Sequence, residues 1–300
     1  MKYMVLAILS LVFIIAAYLL TARRIARELV IPEKKERGFS RPQHPHEKSF
    51  TIPSSDGYNI TCVFIPIGDG TSIYSNVVIL AHGFGSCKED MYPYADIFTA
   101  LGYSVLIPDT RAHGESGGSA STMGYREQDD LSAIIRWLKD CYGHGVSYGL
   151  FGVADGGTAA LLCAKANSDV KFVITDSAIS NAHELYKHIF TAHYKIKTFP
   201  LLNISELFIR AIAGFKPKRV NTDSVFASET FTKDIPLFLI HGDCDKKVPP
   251  QMSVDIYNSK EYGLKTLYLA PESGHKEAFF KNREDYIEKI QTFITENTED

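Results

Sequence analysis

Leu150-Phe-Gly-Val-Ala-Asp-Gly-Gly-Thr158 runs from an apolar strand, through a glycine-flanked turn, into a helix. The pattern is Gly-x-apex-x-Gly-Gly. A residue lifted off a strand end on such a strained bend leaves no room for a Cβ two positions away on either side, and Gly152 and Gly156 hold those two positions. An ordinary phosphate-binding loop would bring a lysine or a Gly-x-Gly-x-x-Gly spacing after the first strand, and neither is present. The turn therefore reads as one that presents a nucleophile, except that Ala154 stands at the apex.

Downstream, two strand ends supply an acid and a base. Pro236-Leu-Phe-Leu-Ile240 reads as a buried parallel strand that empties into His241-Gly-Asp-Cys-Asp-Lys-Lys-Val-Pro249. Lys265-Thr-Leu-Tyr-Leu269 is a further strand, followed by Ala-Pro-Glu-Ser-Gly-His275. The chain order is nucleophile position, acid, base.

With these motifs the chain resembles an α/β-hydrolase of the prolyl-oligopeptidase-like and esterase type, over roughly residues 48 to 296. Val77-Val-Ile-Leu-Ala-His82-Gly-Phe-Gly85 resembles the strand and loop that carry half of the oxyanion hole. Asp109-Thr-Arg-Ala-His-Gly-Glu-Ser-Gly117 is similar to the family's Asp-x-Arg-x-x-Gly-x-Ser-x-Gly loop, and residues 241–249 match His-Gly-x-x-Asp-x-x-Val-Pro. The resemblance implies Asp245 as the triad acid, ahead of Asp243, and His275 as the base. It places the oxyanion donors at the backbone amides of Phe84 and Asp155, and implies no metal and no cofactor.

A methyl group cannot attack a carbonyl, so Ala154 closes the covalent route. Three explanations stay open: a substitution made by design, a natural loss that leaves a membrane-anchored binding module, or another residue acting instead. Retention of Asp245, His275 and the oxyanion loop favours design or recent loss. Asp155 as the nucleophile would shift the register and put Val153 where a small residue is needed, and Cys163 in the following helix reads as a packed thiol. With serine restored, His275 would move the proton, Asp245 would fix the ring's tautomer, and the two amides would hold the oxyanion. The expected substrate is a small carboxylic ester, with a short peptide or amide as the alternative.

The remaining polar residues read as scaffold: His82 and His241 before glycines at strand ends, His113 with Asp109 and Arg111 beside the site, and Asp176-Ser177 capping the next helix. Composition agrees with a single α/β catalytic domain. The 300 residues are 45% hydrophobic, the net charge of −3 offers no basic field for nucleic acid, and the 5 cysteines form no disulfide or metal pattern.

Alternation of strands near 77–81, 103–107 and 147–152 with helices near 88–101, 127–141 and from 156 predicts a mostly parallel sheet covered on both faces. An antiparallel hairpin, Thr51-Ile52 with Ile60 to Ile65, opens it. Strands near 171, 236 and 265 extend it, and a helix from Asp285 to Thr295 closes it. The interval 178–234 is too long for a simple crossover, and its helical runs, Ala182 to Ile196 and Ile204 to Ile212, read as a small lid. Its Tyr186, Phe190, Tyr194, Phe199, Phe208 and Phe215 fit ordinary helical packing better than an acyl pocket. Tyr3 to Leu20 is almost unbroken apolar sequence, which predicts a single-pass membrane anchor over 1–22, with a cleaved signal peptide as the alternative. Residues 23–48 then read as a charged linker and 49–300 as the hydrolase domain. Arg23, Arg24 and Arg27 after the span lean the domain towards the cytoplasmic face.

Overall fold

A computed structural model describes residues 1–34, 44, 46–68, 76–143, 145–222 and 234–298. Residues 35–43 and 45 of the predicted linker and residues 223–233 of the predicted lid lie outside the described residues. Eight strands form one sheet in the order β1-β2-β4-β3-β5-β6-β7-β8. β1 (Lys48–Pro53) and β2 (Asn59–Ile65) make the antiparallel hairpin, and β2 also runs antiparallel to β4 (Ser104–Pro108). From β4 onward every pairing is parallel, through β3 (Val77–Ala81), β5 (Tyr148–Val153), β6 (Val170–Asp176), β7 (Leu237–Gly242) and β8 (Lys265–Ala270). This is the α/β-hydrolase fold.

The helices are α1 (Lys2–Val30), α2 (Tyr92–Ala100), α3 (Glu127–Tyr142), α4 (Asp155–Ala166), α5 (Ala182–His188), α6 (Leu201–Ala213), α7 (Gln251–Ser259), α8 (Ala278–Lys281) and α9 (Arg283–Thr298). Successive strand residues point to opposite faces, so the central strands feed two separate cores. Ile79, Leu150, Val173 and Leu239 pack on one side with Ile134 of α3, Leu161 of α4 and Ile256 of α7. Val78, Phe151, Ile174 and Phe238 pack on the other with Phe98 of α2 and Tyr286, Ile290 and Phe293 of α9. Strands apolar on both faces are what a doubly covered parallel sheet requires.

A third apolar cluster lies outside the sheet. It joins the lid helices to the end of α1: Ile25, Ala26, Leu29 and Val30 are buried against Leu201, Leu202 and Ile209 of α6. The helix therefore does not stop at residue 22, where sequence reasoning placed the boundary between anchor and linker. It runs on to Val30, and its last turns belong to the lid. The arginines suggested a polar stalk, but Arg23, Arg24 and Arg27 sit on the exposed side of this helix while the residues between them face inward. The first half is uncovered, with Phe13 and Leu20 at 75% and 64% exposure, and α1 is long and apolar enough to cross a membrane or to serve as a signal sequence.

Two further expectations change. Asp176-Ser177 caps no helix: Asp176 ends β6, and Asn181 caps α5 by accepting from the amides of His183 and Glu184. The run 182–196 is not one helix either, since α5 gives way to a π turn over Ile189–His193.

The sheet delivers the 150–158 turn to its carboxyl edge through backbone contact. A Cβ on Gly152 would stand 2.4 Å from the carbonyl carbon of Gly156, and one on Gly156 would stand 2.3 Å from the carbonyl oxygen of Ala81. Neither neighbour is a side chain that can swing away. Gly156→Ala is expected to lower stability by about 3 kcal/mol or more through overpacking, read as a shifted urea midpoint in Trp137 fluorescence; an unchanged midpoint would contradict the backbone contact.

Candidate active site

Ala154 has φ +52° and ψ −120°, a conformation that costs a residue with a side chain of order 1–3 kcal/mol and persists only where the surroundings impose it. Here they do. Its amide donates to the Asp176 carbonyl at 2.8 Å, its carbonyl accepts from the Thr158 amide at 3.1 Å, and α4 begins at the next residue. The apex is thus Ala154 and not Asp155. A Cβ added to Gly83 would meet the Ala154 methyl at 3.1 Å, so the Gly83 loop closes over the apex.

His275 and Asp245 meet across two loops, with Nδ1 donating to Asp245 Oδ2 at 2.8 Å. Asp245 has further partners. Its Oδ1 accepts from the amides of Lys247 at 2.8 Å and Val248 at 2.9 Å, and His241 Nε2 lies 3.4 Å from Oδ2. Burial by itself raises this carboxyl, but hydrogen bonds from His241 and His275 and the Val248 amide outweigh it and hold the group well below the usual carboxylate range. Ala154, Phe84, Asp155 and His275 line one cavity of about 410 Å³.

The Phe84 amide, expected to point at an oxyanion, donates instead to Asp155 Oδ1 at 2.5 Å. Asp155 is buried, which raises its carboxyl against the opposing pull of His113 and Lys276. The Asp155 amide is the first of α4 and belongs to the set that a helix start leaves without an intrahelical partner. The carboxylate that follows the apex therefore occupies one predicted donor, while the amide of the same residue remains the other.

The histidines beside the site hold loops. His82 Nε2 accepts from the Thr110 amide at 2.9 Å, and His113 Nε2 accepts from the Gly85 amide at 3.0 Å. Lys88 and Asp109 pair at 2.8 Å, and Arg111 grips Asp130 through two contacts of 2.7 Å. His241 links the Ser253 hydroxyl at 2.6 Å to the Val248 carbonyl at 2.9 Å. Cys163 is buried in α4 away from the cavity, and burial pushes its thiol up to about 12. All five cysteines are free, and among the described residues no group of side chains is arranged to hold a metal ion.

Sequence reasoning missed two contributors. Lys276, next to the base, takes a positive φ of 61° and turns its ammonium back over the Gly83 loop, where Nζ lies 2.7 Å from the point a Gly83 Cβ would occupy. Burial lowers this ammonium's pKa. Its position directly after His275 was the available signal. Glu28 and Leu29, at the far end of α1, form a wall of the cavity, and no local pattern connects them with it. Of the six lid aromatics, Tyr194 alone lines this cavity, and its hydroxyl donates to Glu28 at 3.0 Å. Tyr186, Phe190 and Phe215 are buried in the lid cluster, Phe208 packs against it, and Phe199 is exposed.

A family model described as X-Pro dipeptidyl-peptidase (S15 family) matches residues 32–198. The Bacillus subtilis protein YqkD is 29% identical over 296 residues, taking in 97% of this chain and 94% of its own length. The monoglyceride lipase of Saccharomyces cerevisiae is 23% identical over 278 residues, which cover 77% of this chain and 89% of that one. Among solved structures, the Pyrococcus furiosus esterase Pf2001 superposes with a TM-score of 0.71 at 23% identity, covering 90% of this chain and 99% of its own, and shares the fold.

Asp245 carries a pH signature. Its folded pKa is depressed below the unfolded value of about 3.9, so the stability it contributes is complete above about pH 4 and is lost as the pH falls towards the folded value. Asp245→Asn should flatten the acid limb of stability against pH and, at neutral pH, cost about 3 kcal/mol because it breaks a buried charged network. Urea titrations at pH 7 and pH 3 measure both effects. An acid limb identical to the parent's would contradict the assignment.

Proposed function

Since the chain belongs to the S15 family of X-Pro dipeptidyl-peptidase type and folds as an α/β-hydrolase, we propose that it is an esterase-type serine hydrolase by descent that now binds an acyl ligand without covalent turnover. The observation that carries this reading is the apex: Ala154 keeps the nucleophile's strained backbone, and no oxygen stands there to attack. Around it the frame for binding is intact. An apolar-walled cavity lies beside the His275–Asp245 pair, which retains the geometry for proton transfer.

Asp155 supports natural loss over substitution by design. If Ala154 were a lone replacement in a working enzyme, the Phe84 amide would be expected to face the cavity; its bond to Asp155 Oδ1 leaves the oxyanion one donor short even with serine restored. Retention of the acid and base does not argue the other way. The amides of Lys247 and Val248 and the His275 ring would lose their acceptor if Asp245 were lost.

In this reading the ligand is a carboxylic ester or its acid, with the chain lying along Leu29, Met123, Ile179 and Leu185. A short peptide is the second reading, favoured by the family whose model matches. The N-terminal helix would hold the domain at a membrane, on the cytoplasmic side by its trailing arginines.

The native protein is expected to show neither p-nitrophenyl ester turnover nor labelling by a fluorophosphonate probe, while still binding an acyl ligand in calorimetry; covalent labelling in the cavity would reject the reading. Ala154→Ser alone should stay weakly active. Adding Asp155→Met, which frees the Phe84 amide, should raise turnover by about 10²–10³, the usual worth of one oxyanion donor. Full activity from the single change would show that Asp155 blocks nothing.

A further inference from the structure

The cavity beside Ala154 gathers positive charge. Lys246, Lys247 and Lys276 all line it, and among the described residues none of the three forms an ion pair. Among the described residues the only hydrogen bond of the Lys276 ammonium is a long one, 3.5 Å to the Phe84 carbonyl oxygen. The two acids in the lining are already engaged. Glu28 is held by Arg24 at 2.9 Å and by the Tyr194 hydroxyl at 3.0 Å. Asp155 accepts from the Phe84 amide at 2.5 Å and from the Ser121 hydroxyl at 3.4 Å.

From these contacts we infer that the ligand is an amphiphile ending in a carboxylate, a free acid in place of an ester. The inference rests on the proposed function and names the ligand of that same site. A neutral ester offers a carbonyl oxygen, and one of the donors that would polarise it is taken by Asp155. A carboxylate gains instead from a partly dehydrated ammonium, where charge-assisted hydrogen bonds are roughly twice as strong as neutral ones. Lys276 is placed for this contact. Its Nζ and the Ala154 methyl lie 2.7 and 3.1 Å from one common point beside Gly83, so the two groups are separated by no more than the sum of those distances.

His275 lines the same cavity with its Nδ1 committed to Asp245, which leaves Nε2 for the ligand. The chain of the acid lies along the apolar wall, where each buried methylene contributes about 0.8 kcal/mol. A phosphate head group fits less well. Among the described residues no arginine lines the cavity to grip it bidentately, and the Asp155 carboxylate in the lining repels a dianion more than a monoanion.

The test uses the full chain in lipid nanodiscs, titrated with dodecanoate, methyl dodecanoate and dodecyl phosphate, with ligand-free nanodiscs as the partition control. Dodecanoate should bind about 10–100-fold more tightly than its methyl ester, the range of a hydrogen bond to a charged group. Lys276→Met should abolish that preference by weakening the acid and leaving the ester unchanged, and Lys276→Arg should restore most of it. Should Lys276→Met fail to fold, Lys247→Met reads the same preference through the neighbouring charge and should reduce it. Equal affinity for acid and ester, equal loss of both on removing the lysine charge, or tighter binding of dodecyl phosphate would overturn the carboxylate assignment while leaving acyl binding in place. Failure of all three to bind would overturn the proposed function as well.

Discussion

Contact between bare backbones organises this molecule. Gly152 and Gly156 let the strand–turn–helix fold back on itself, and Gly156 lies against the carbonyls of Ala81 and His82. That approach brings the ends of β3 and β5 together, holds the residue between the glycines at positive φ, and sets where α4 begins. The conformation does not depend on a nucleophile at the apex. The forces that hold Ala154 in place are steric exclusion and the bonds to Asp176 and Thr158, and all of them act through the backbone.

The same separation of scaffold from chemistry runs through the rest of the site. Asp245 closes the loop after β7 with both carboxylate oxygens, and the His275 bond is one among several. Its low pKa follows from that hydrogen-bond count as much as from any catalytic role. The histidines at 82, 113 and 241 likewise hold turns in position. The acid and base can therefore stay in register without a nucleophile beside them, because Asp245 also satisfies the amides of its own loop.

Much of this was legible in the chain. Apolar runs with glycine-rich ends gave the parallel strands, and motif spacing put Asp245 and His275 on adjacent loops. What escaped was set by tertiary contact. Nothing local states that the Asp155 side chain reaches across to the Phe84 amide, 71 positions away in sequence. Lys276 turns inward because its backbone adopts the left-handed region, a choice made by the loop and not by the residue. The end of α1 was read as linker because its arginines dominate the composition, whereas the buried residues between them repeat at helical spacing. Asp176-Ser177 was read as a cap because both are good capping residues, but Asp176 is used by the Tyr286 hydroxyl at 3.1 Å and helix α5 starts later.

The helix from Lys2 to Val30 contains no proline or glycine, so no hinge separates its uncovered first half from the turn that bears Glu28 and Leu29. It is a continuous rod. A tilt imposed on the outer arm would carry over to the cavity wall formed by Glu28 and Leu29, which Tyr194 and α6 hold in place. The shape of the binding chamber is in this sense partly fixed from outside the domain, and a fragment that begins after residue 30 would present a chamber with one side open.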